Sequence, residues 1–266
     1  MNKTIILTGG ATGIGAAAVS RLMARDCKVI ILDVVQPEDN TCQFVECDLS
    51  KTASINAAIS QLPEQIDVLI NVAGVSNAYP DEMVMKVNFL GLRSITEALI
   101  PTIVDGGNVV NVASTAGYDW RQRKDIVGEL LDTVDFEAGL NWLKINESSW
   151  TDNPYKFSKQ CAAAYTYRAA GLAVGRGVRA NCVNPGSTGT QLTRDFRQLV
   201  GEDMYDWGVQ QIGREGKPDD IAEIIEFLAI GDCRWLNGVE LTVDGGYIAG
   251  LVGGWVNLQD SPNAGV

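Results

Sequence analysis

A chain of 266 residues, 46% hydrophobic and 20% charged, has ordinary globular composition, which excludes disorder and is long enough for one sizeable core. Its formal net charge of −12 denies it the positive surface on which nucleic-acid and anionic-membrane binders rely, so neither partner is expected. It contains no histidine, which removes imidazole zinc sites and every catalytic triad built on histidine; no metal is expected.

The opening MNKTIILTGG carries too short an apolar run for a signal-peptide core, and no later run reaches membrane-spanning length. A cytoplasmic location is therefore expected, with all six cysteines as thiols, including Cys42 and Cys47 in CQFVEC. From there, short β-branched runs alternate with helical patterns. KTIILTG is followed by a helix from about Gly13 to Arg25, then KVIILDV, CQFVECD, a helix from about Ser54, and IDVLINVAG. A helix from about Asp81 to Ile103 precedes GNVVNVAS, a helix from about Tyr155 precedes VRANCVNPG, and a helix from about Pro218 precedes GVELTVDGG. Strands that read as continuous apolar runs are buried on both faces, so the expected fold is a doubly wound, Rossmann-type α/β domain of about seven parallel strands spanning 1–266. The rhythm breaks at about 118–152, where the spacing of Ile126, Leu130, Leu131, Val134, Phe136, Leu140 and Leu143 predicts two short helices in an insertion.

Two features of the first βαβ unit carry chemistry. In TGGATGIG, Gly9, Gly13 and Gly15 let the backbone turn sharply and come close to a ligand, while the following helix offers free N–H groups to a pyrophosphate. Asp33 ends the second strand, where a carboxylate accepts hydrogen bonds from ribose hydroxyls and repels a 2′-phosphate, so NAD is expected over NADP. Asp48, after the third strand, is either a contact to adenine or a helix cap.

The ordered set of motifs resembles the short-chain dehydrogenase/reductase family. It comprises TGxxxGxG at Thr8 to Gly15, Asp33, Asp48-Leu49, NVAG at Asn71 to Gly74, Val87-Asn88, NVAS ending at Ser114, YxxxK at Tyr155 and Lys159, and NPGSTGT at Asn184 to Thr190. GREGKPDDIA and DGG follow later in the chain. The resemblance implies a catalytic tetrad of Asn88, Ser114, Tyr155 and Lys159. Tyr155 would be the acid/base, Ser114 would hold the substrate oxygen, and Asn88 would hold a water linking Lys159 to solvent. It further implies that Gly9, Thr12, Gly13, Ile14, Gly15, Asp33, Asp48, Leu49, Asn71, Ala73, Gly74, Tyr155, Lys159, Pro185, Gly186, Thr188 and Thr190 contact the cofactor. The i, i+4 spacing puts Tyr155 and Lys159 on one helical stripe. Ionising a phenol at neutral pH takes roughly 3 to 4 kcal/mol, and an ammonium about 4 Å away contributes on the order of 4 kcal/mol at an effective dielectric near 20. Lys159 is thus expected to lower the pKa of Tyr155.

Ser114 and Tyr155 are 41 positions apart (155 − 114), longer than is usual in the family. A similar insertion marks the bacterial 3α-hydroxysteroid dehydrogenase/carbonyl reductase subgroup, which this chain resembles most. Trp120, Trp142 and Trp150 in the insertion either wall an apolar substrate pocket or pack the insertion onto its own helices; Trp120 and Trp150 are taken as substrate residues with Ser114. By the same resemblance, about 190–213 is a substrate lid, with Met204, Tyr205 and Trp207 as its candidates. The expected activity is NAD(H)-dependent interconversion of a hydrophobic cyclic secondary alcohol, a hydroxysteroid or terpene-like alcohol, with its ketone. The alternatives are a reductase of smaller carbonyl compounds or a non-catalytic NAD-binding regulator. A homodimer or homotetramer is expected, with the apolar tail Gly250 to Leu258 at a subunit contact.

Overall fold

The β-branched runs form strands that lie parallel throughout, in the spatial order β3-β2-β1-β4-β5-β6-β7. The computed structural model describes residues 3–38 and 41–262. Along the chain these are β1 (Thr4–Thr8), α1 (Gly13–Met23), β2 (Lys28–Asp33), β3 (Gln43–Glu46), α2 (Thr52–Ile59), β4 (Ile66–Asn71), α3 (Asp81–Met85), α4 (Leu92–Leu99) and β5 (Ile103–Val112). They continue with α5 (Lys124–Leu131), α6 (Phe136–Ile145), α7 (Pro154–Leu172), β6 (Arg179–Pro185), α8 (Gln191–Val200), α9 (Glu202–Gln211), α10 (Pro218–Ile230), β7 (Glu240–Val243) and α11 (Tyr247–Gly253).

Because successive strand residues point to opposite faces, the apolar strands feed two cores at once. Ile6, Ile30, Leu69 and Val109 pack with α2, α4 and α7 on one face, while Ile5, Leu7, Ile31 and Val110 pack with α1 and α10 on the other. Each such buried aliphatic side chain stabilises the fold by roughly 1.5 to 3 kcal/mol. The chain order reverses between β1 and β4, and the crevice beyond the C-terminal ends of these strands is where a doubly wound sheet places its ligand.

The helix expected from Asp81 to Ile103 is not uniform. A π-helical turn over Lys86–Gly91 separates α3 from α4, and β5 already begins at Ile103. A Cβ on Gly91 would come within 2.3 Å of the Leu49 carbonyl, so that glycine lets the turn press against the β3–α2 loop.

The insertion does contain the two expected short helices, α5 and α6, and they bury Val127, Leu130, Leu131, Phe136 and Leu143 against the layer of α4 and α7. Asp135 caps α6 by accepting from the Ala138 N–H at 2.8 Å. The insertion is fastened from below by Arg93 of α4, which is 1% exposed. Its Nη1 donates to the Thr133 carbonyl at 3.1 Å and hydroxyl at 2.9 Å, and its Nη2 donates to the Asp135 carbonyl at 2.5 Å. Near the chain end Val256 is buried, while Val252, Trp255 and Leu258 are exposed. None of the six cysteines is in a disulfide, Cys42 and Cys47 included.

Replacing Arg93 with Leu leaves these carbonyls buried without their charged donor, and the expected cost is about 3 kcal/mol. A urea denaturation midpoint equal to that of the parent protein would remove Arg93 from this role.

Candidate active site at the carboxyl ends of the strands

The turn after β1 is built on contacts that exclude side chains. Gly9 has φ +76°, and a Cβ there would lie 2.5 Å from Cα of Ala73; a Cβ on Gly15 would lie 1.9 Å from the Gly9 carbonyl. Gly13, at φ +54°, opens α1, and the extended Thr12 before it makes no side-chain cap. The first N–H groups of α1 are therefore uncapped by side chains and free of acidic neighbours in the first turn, which suits an anion. A cavity of about 520 Å³ lies there, lined by Gly13, Thr190, Arg194 and Arg197 among others. Thr190 sits against Gly13, its methyl group 3.3 Å from where a Cβ of Gly13 would stand, and it caps α8 through Thr193.

Asp33 ends β2 with its carboxylate held beside this turn: Oδ2 accepts from the Ala11 N–H at 3.0 Å and Oδ1 from the Val35 N–H at 3.2 Å. Asp48 does not cap α2, whose N-cap position is Lys51 with no side-chain cap; it makes a local turn instead. Its Oδ1 accepts from the Ser50 N–H and hydroxyl, and its Oδ2 pairs with Lys51 at 2.8 Å, at the entry to α2. Leu49 is buried under Gly91. Asn71 spends its amide inside the protein, donating to Thr96 and to Asn111, both at 2.9 Å, so only its backbone is left for a cofactor. Ala73 and Gly74 follow at the open end of β4, and Ile14 lies in the first turn of α1. Across the crevice, Pro185 ends β6, and Gly186 lies so close to Asp244 that a Cβ would come within 2.5 Å. The Thr188 hydroxyl donates back to the Gly186 carbonyl, and the Thr188 carbonyl accepts from the Thr193 hydroxyl.

The tetrad residues converge at the same edge. Helix α7 starts where Pro154 supplies a first residue needing no N–H partner and Asn153 accepts from the Lys156 N–H at 2.9 Å. It carries Tyr155 and Lys159 inward. Ser114, just beyond β5, stands beside the Tyr155 phenol, and its Oγ accepts from the Ala116 N–H at 3.1 Å. The Lys159 ammonium donates to the Val112 carbonyl at 3.2 Å and stands 5.6 Å from the centre of the Tyr155 ring. Asn88 lies in the π-helical turn; its amide donates to the Val75 carbonyl at 2.9 Å and to Ser158 at 3.1 Å, and its Oδ1 accepts from the Val75 N–H at 2.8 Å. Both amide hydrogens are thus committed to the protein, and the side chain serves to fix the loop after β4.

The electrostatics depart from the sequence expectation. Burial pushes the Tyr155 phenol up to about 12, with the Ser114 hydrogen bond pulling the other way, and burial pushes Lys159 down to about 8. Each group moves toward its neutral form because desolvation outweighs the opposing influences, Ser114 on the phenol and Cys182 on the ammonium.

Trp150 is a core residue whose indole N–H donates to the Leu143 carbonyl at 2.9 Å. Trp120 is held at β7, donating to Glu240 at 3.0 Å and packing on Tyr167 with ring centres 5.5 Å apart. Trp142 stacks on Phe157 at 6.2 Å. Trp120 and Trp142 pack the insertion onto the body of the protein, and Trp150 packs it onto its own helix α6. In α9, the Tyr205 hydroxyl donates to Glu215 at 2.6 Å beneath Arg197, and Met204 and Trp207 are half-buried beside it.

The ring that meets Tyr155 is instead Phe196 of α8, edge-on with centroids 4.6 Å apart. Two further residues escaped notice in the sequence. Asn77 accepts from the Tyr155 N–H at 2.8 Å, and Ser76 donates to Asp195 at 2.6 Å. No local spacing signals contacts that join positions 78 and 119 residues apart in the chain.

A family model described as short chain dehydrogenase matches residues 3–123, and one described as Enoyl-(Acyl carrier protein) reductase matches residues 142–248. The coniferyl-alcohol dehydrogenase of Pseudomonas sp. (strain HR199 / DSM 7063) is 36% identical over 246 residues, covering 92% of this chain and 96% of the relative. The chain belongs to the short-chain dehydrogenase/reductase family. As a member it is an oxidoreductase acting on alcohols and using a nicotinamide cofactor. The mitochondrial borneol dehydrogenase of Lavandula x intermedia is 26% identical, over 92% of this chain and 90% of that one. Among solved structures of the family, the 3-alpha-hydroxysteroid dehydrogenase from Pseudomonas sp. B-0831 complexed with NADH superimposes with a TM-score of 0.79 at 25% identity, covering 96% of this chain and all of that one. The span between the two matched family models, 124–141, falls within the insertion and takes in α5 and most of α6.

The lowered value of Lys159 has a consequence for stability. Between about 8, its folded value, and the ordinary 10.5, the unfolded chain holds the proton that the folded chain has lost. Stability therefore rises with pH across that window and is lost as pH falls toward 8. The parent protein is expected to gain stability relative to Lys159→Met between pH 7.5 and 10, read from paired urea titrations; parallel curves would place Lys159 at its ordinary value.

Proposed function

We propose that the protein is an NAD(H)-dependent dehydrogenase that interconverts a ring-bearing alcohol and its carbonyl compound, with Tyr155 as the acid/base. The observation that carries this reading is the buried Tyr155 phenol, beside Ser114 and flanked by Lys159, at the crevice that also holds the uncapped glycine turn. The residues fit a dinucleotide: a cradle that any Cβ at Gly9 or Gly15 would fill, an exposed helix start, and an acidic group at the end of β2. When bound there, the nicotinamide supplies or accepts the hydride.

The chain's own groups handle the proton and the oxygen. Ser114 offers its hydroxyl to the substrate oxygen and steadies negative charge as it grows there. Tyr155 gives its phenolic proton to that oxygen in reduction and takes it back in oxidation. Since burial raises the phenol, Tyr155 rests as the proton-bearing form over the whole physiological range. Lys159, 5.6 Å from the ring centre, is placed to contribute on the order of 3 kcal/mol toward the phenolate at an effective dielectric near 20 when it is charged. Asn77 and Asn153 together hold the first turn of α7 and so fix where the phenol points.

The preference for NAD is inferred from Asp33, whose carboxylate ends β2 beside the glycine turn and would repel a 2′-phosphate brought there. The substrate class rests on the relatives, whose names denote coniferyl alcohol, borneol and a hydroxysteroid, all ring-bearing alcohols. This range widens the class from secondary alcohols to alcohols in which the hydroxyl stands on a ring or near one.

Absorbance at 340 nm with NAD or NADP and a panel of coniferyl alcohol, borneol and hydroxysteroids tests both parts. Turnover of at least one ring-bearing alcohol, with kcat/KM higher for NAD, is expected. Asp33→Ala should lower the NAD-to-NADP ratio of kcat/KM by about tenfold or more, the order of one lost charge interaction. An unchanged ratio would take the discrimination away from Asp33.

A further inference from the structure

One contact at the site is made by a residue for which neither the fold nor the proton chemistry has a use. Phe196 projects from α8 onto the ring of Tyr155, with centroids 4.6 Å apart and planes at 66°. Its helical neighbours Leu199 and Val200 remain exposed, so among the larger apolar residues of the second half of α8 it is Phe196 that turns inward. The helix is pinned beside it. Asp195 accepts from the Ser76 hydroxyl at 2.6 Å, and Ser76 is fully buried in the loop that also carries Asn77, the residue holding the Tyr155 N–H. The same loop thus fixes both the phenol and the aromatic ring that leans on it.

We propose that Phe196 determines specificity by contacting the ring of the substrate, and that the Asp195–Ser76 hydrogen bond is the latch that holds it over the reacting oxygen. This rests on the dehydrogenase reading above and narrows its substrate class to alcohols whose ring is planar. An alcohol with its oxygen between Ser114 and Tyr155 must place its nearest ring in the space that Phe196 borders. Aromatic faces and edges attract one another through their quadrupoles, and a puckered saturated ring gains none of this beyond its area. A side chain edge-on to Tyr155 is already oriented to meet a flat ring edge-to-face or offset. Because Phe196 lies edge-on to Tyr155, a substrate ring seated beside the phenol meets both rings, and a flat ring keeps the aromatic contact at least cost.

Benzyl alcohol and cyclohexylmethanol share a carbon skeleton and differ in planarity, so the ratio of their kcat/KM values reads this preference. Phe196→Ala is expected to lower that ratio roughly 3- to 10-fold, the worth of one aromatic pair, chiefly through KM of benzyl alcohol. Phe196→Tyr should restore it, and Ser76→Ala should raise KM for both alcohols alike. NADH binding followed by fluorescence should be unchanged in each variant, which shows the fold and cofactor site to be intact. An active parent enzyme whose ratio is the same in Phe196→Ala would overturn the inference alone. A parent that binds NADH and oxidises no alcohol would overturn the dehydrogenase reading and this inference with it.

Discussion

The cost of burying Tyr155 and Lys159 on one turn of α7 governs much of the rest of the molecule. A phenol and an ammonium taken out of water each move toward the neutral form, the first up to about 12 and the second down to about 8. Such a pair persists only where the surroundings hold it in place. The Val112 carbonyl receives the ammonium, Ser114 meets the phenol, Asn77 and Asn153 hold the helix start, and Phe196 covers the ring. These partners come from the end of β5, the loop after β4, the residue before α7 and helix α8, so the site exists only when these parts of the chain are brought together.

The sheet, in turn, positions cofactor chemistry by close backbone approach. Gly9 against Ala73 and Gly15 against Gly9 bring the β1 turn and the end of β4 into a contact that no side chain could enter. The topological reversal between these two strands opens the crevice there, and the uncapped start of α1 faces it. The insertion belongs to a different layer. Arg93, Glu240 and the stacking of Trp142 on Phe157 bind it to α4, β7 and α7, and its apolar side chains extend the core on one face of the sheet.

Much of this was legible in the sequence because it is local. Seven apolar runs, the glycine spacing of the β1 turn, the acidic end of β2 and the i, i+4 pair on α7 are patterns within a few residues, and in the fold Gly13, Asp33, Ser114, Tyr155 and Lys159 lie at the carboxyl ends of the strands. What could not be read was long-range. The tryptophans of the insertion look alike in sequence, and only the partners of their indole N–H groups, Glu240 for Trp120 and Leu143 for Trp150, show that they pack the fold. Phe196 was passed over for Met204, Tyr205 and Trp207 because nothing local says which turn of a two-helix segment faces the site. The sign of the Tyr155 shift was missed for a related reason: an ion-pair estimate needs only a distance, whereas desolvation needs the whole surroundings.

The most direct measurement is single-turnover hydride transfer by Tyr155→Phe beside the parent enzyme, with NADH affinity measured on both. Loss of the phenolic hydroxyl removes the proton donor and acceptor while leaving the ring against Phe196, so the expected result is a fall of about 10² to 10⁴ in rate with NADH binding unchanged. A variant that transfers hydride at the parental rate would show that the proton travels by another group and would contradict the assignment of Tyr155.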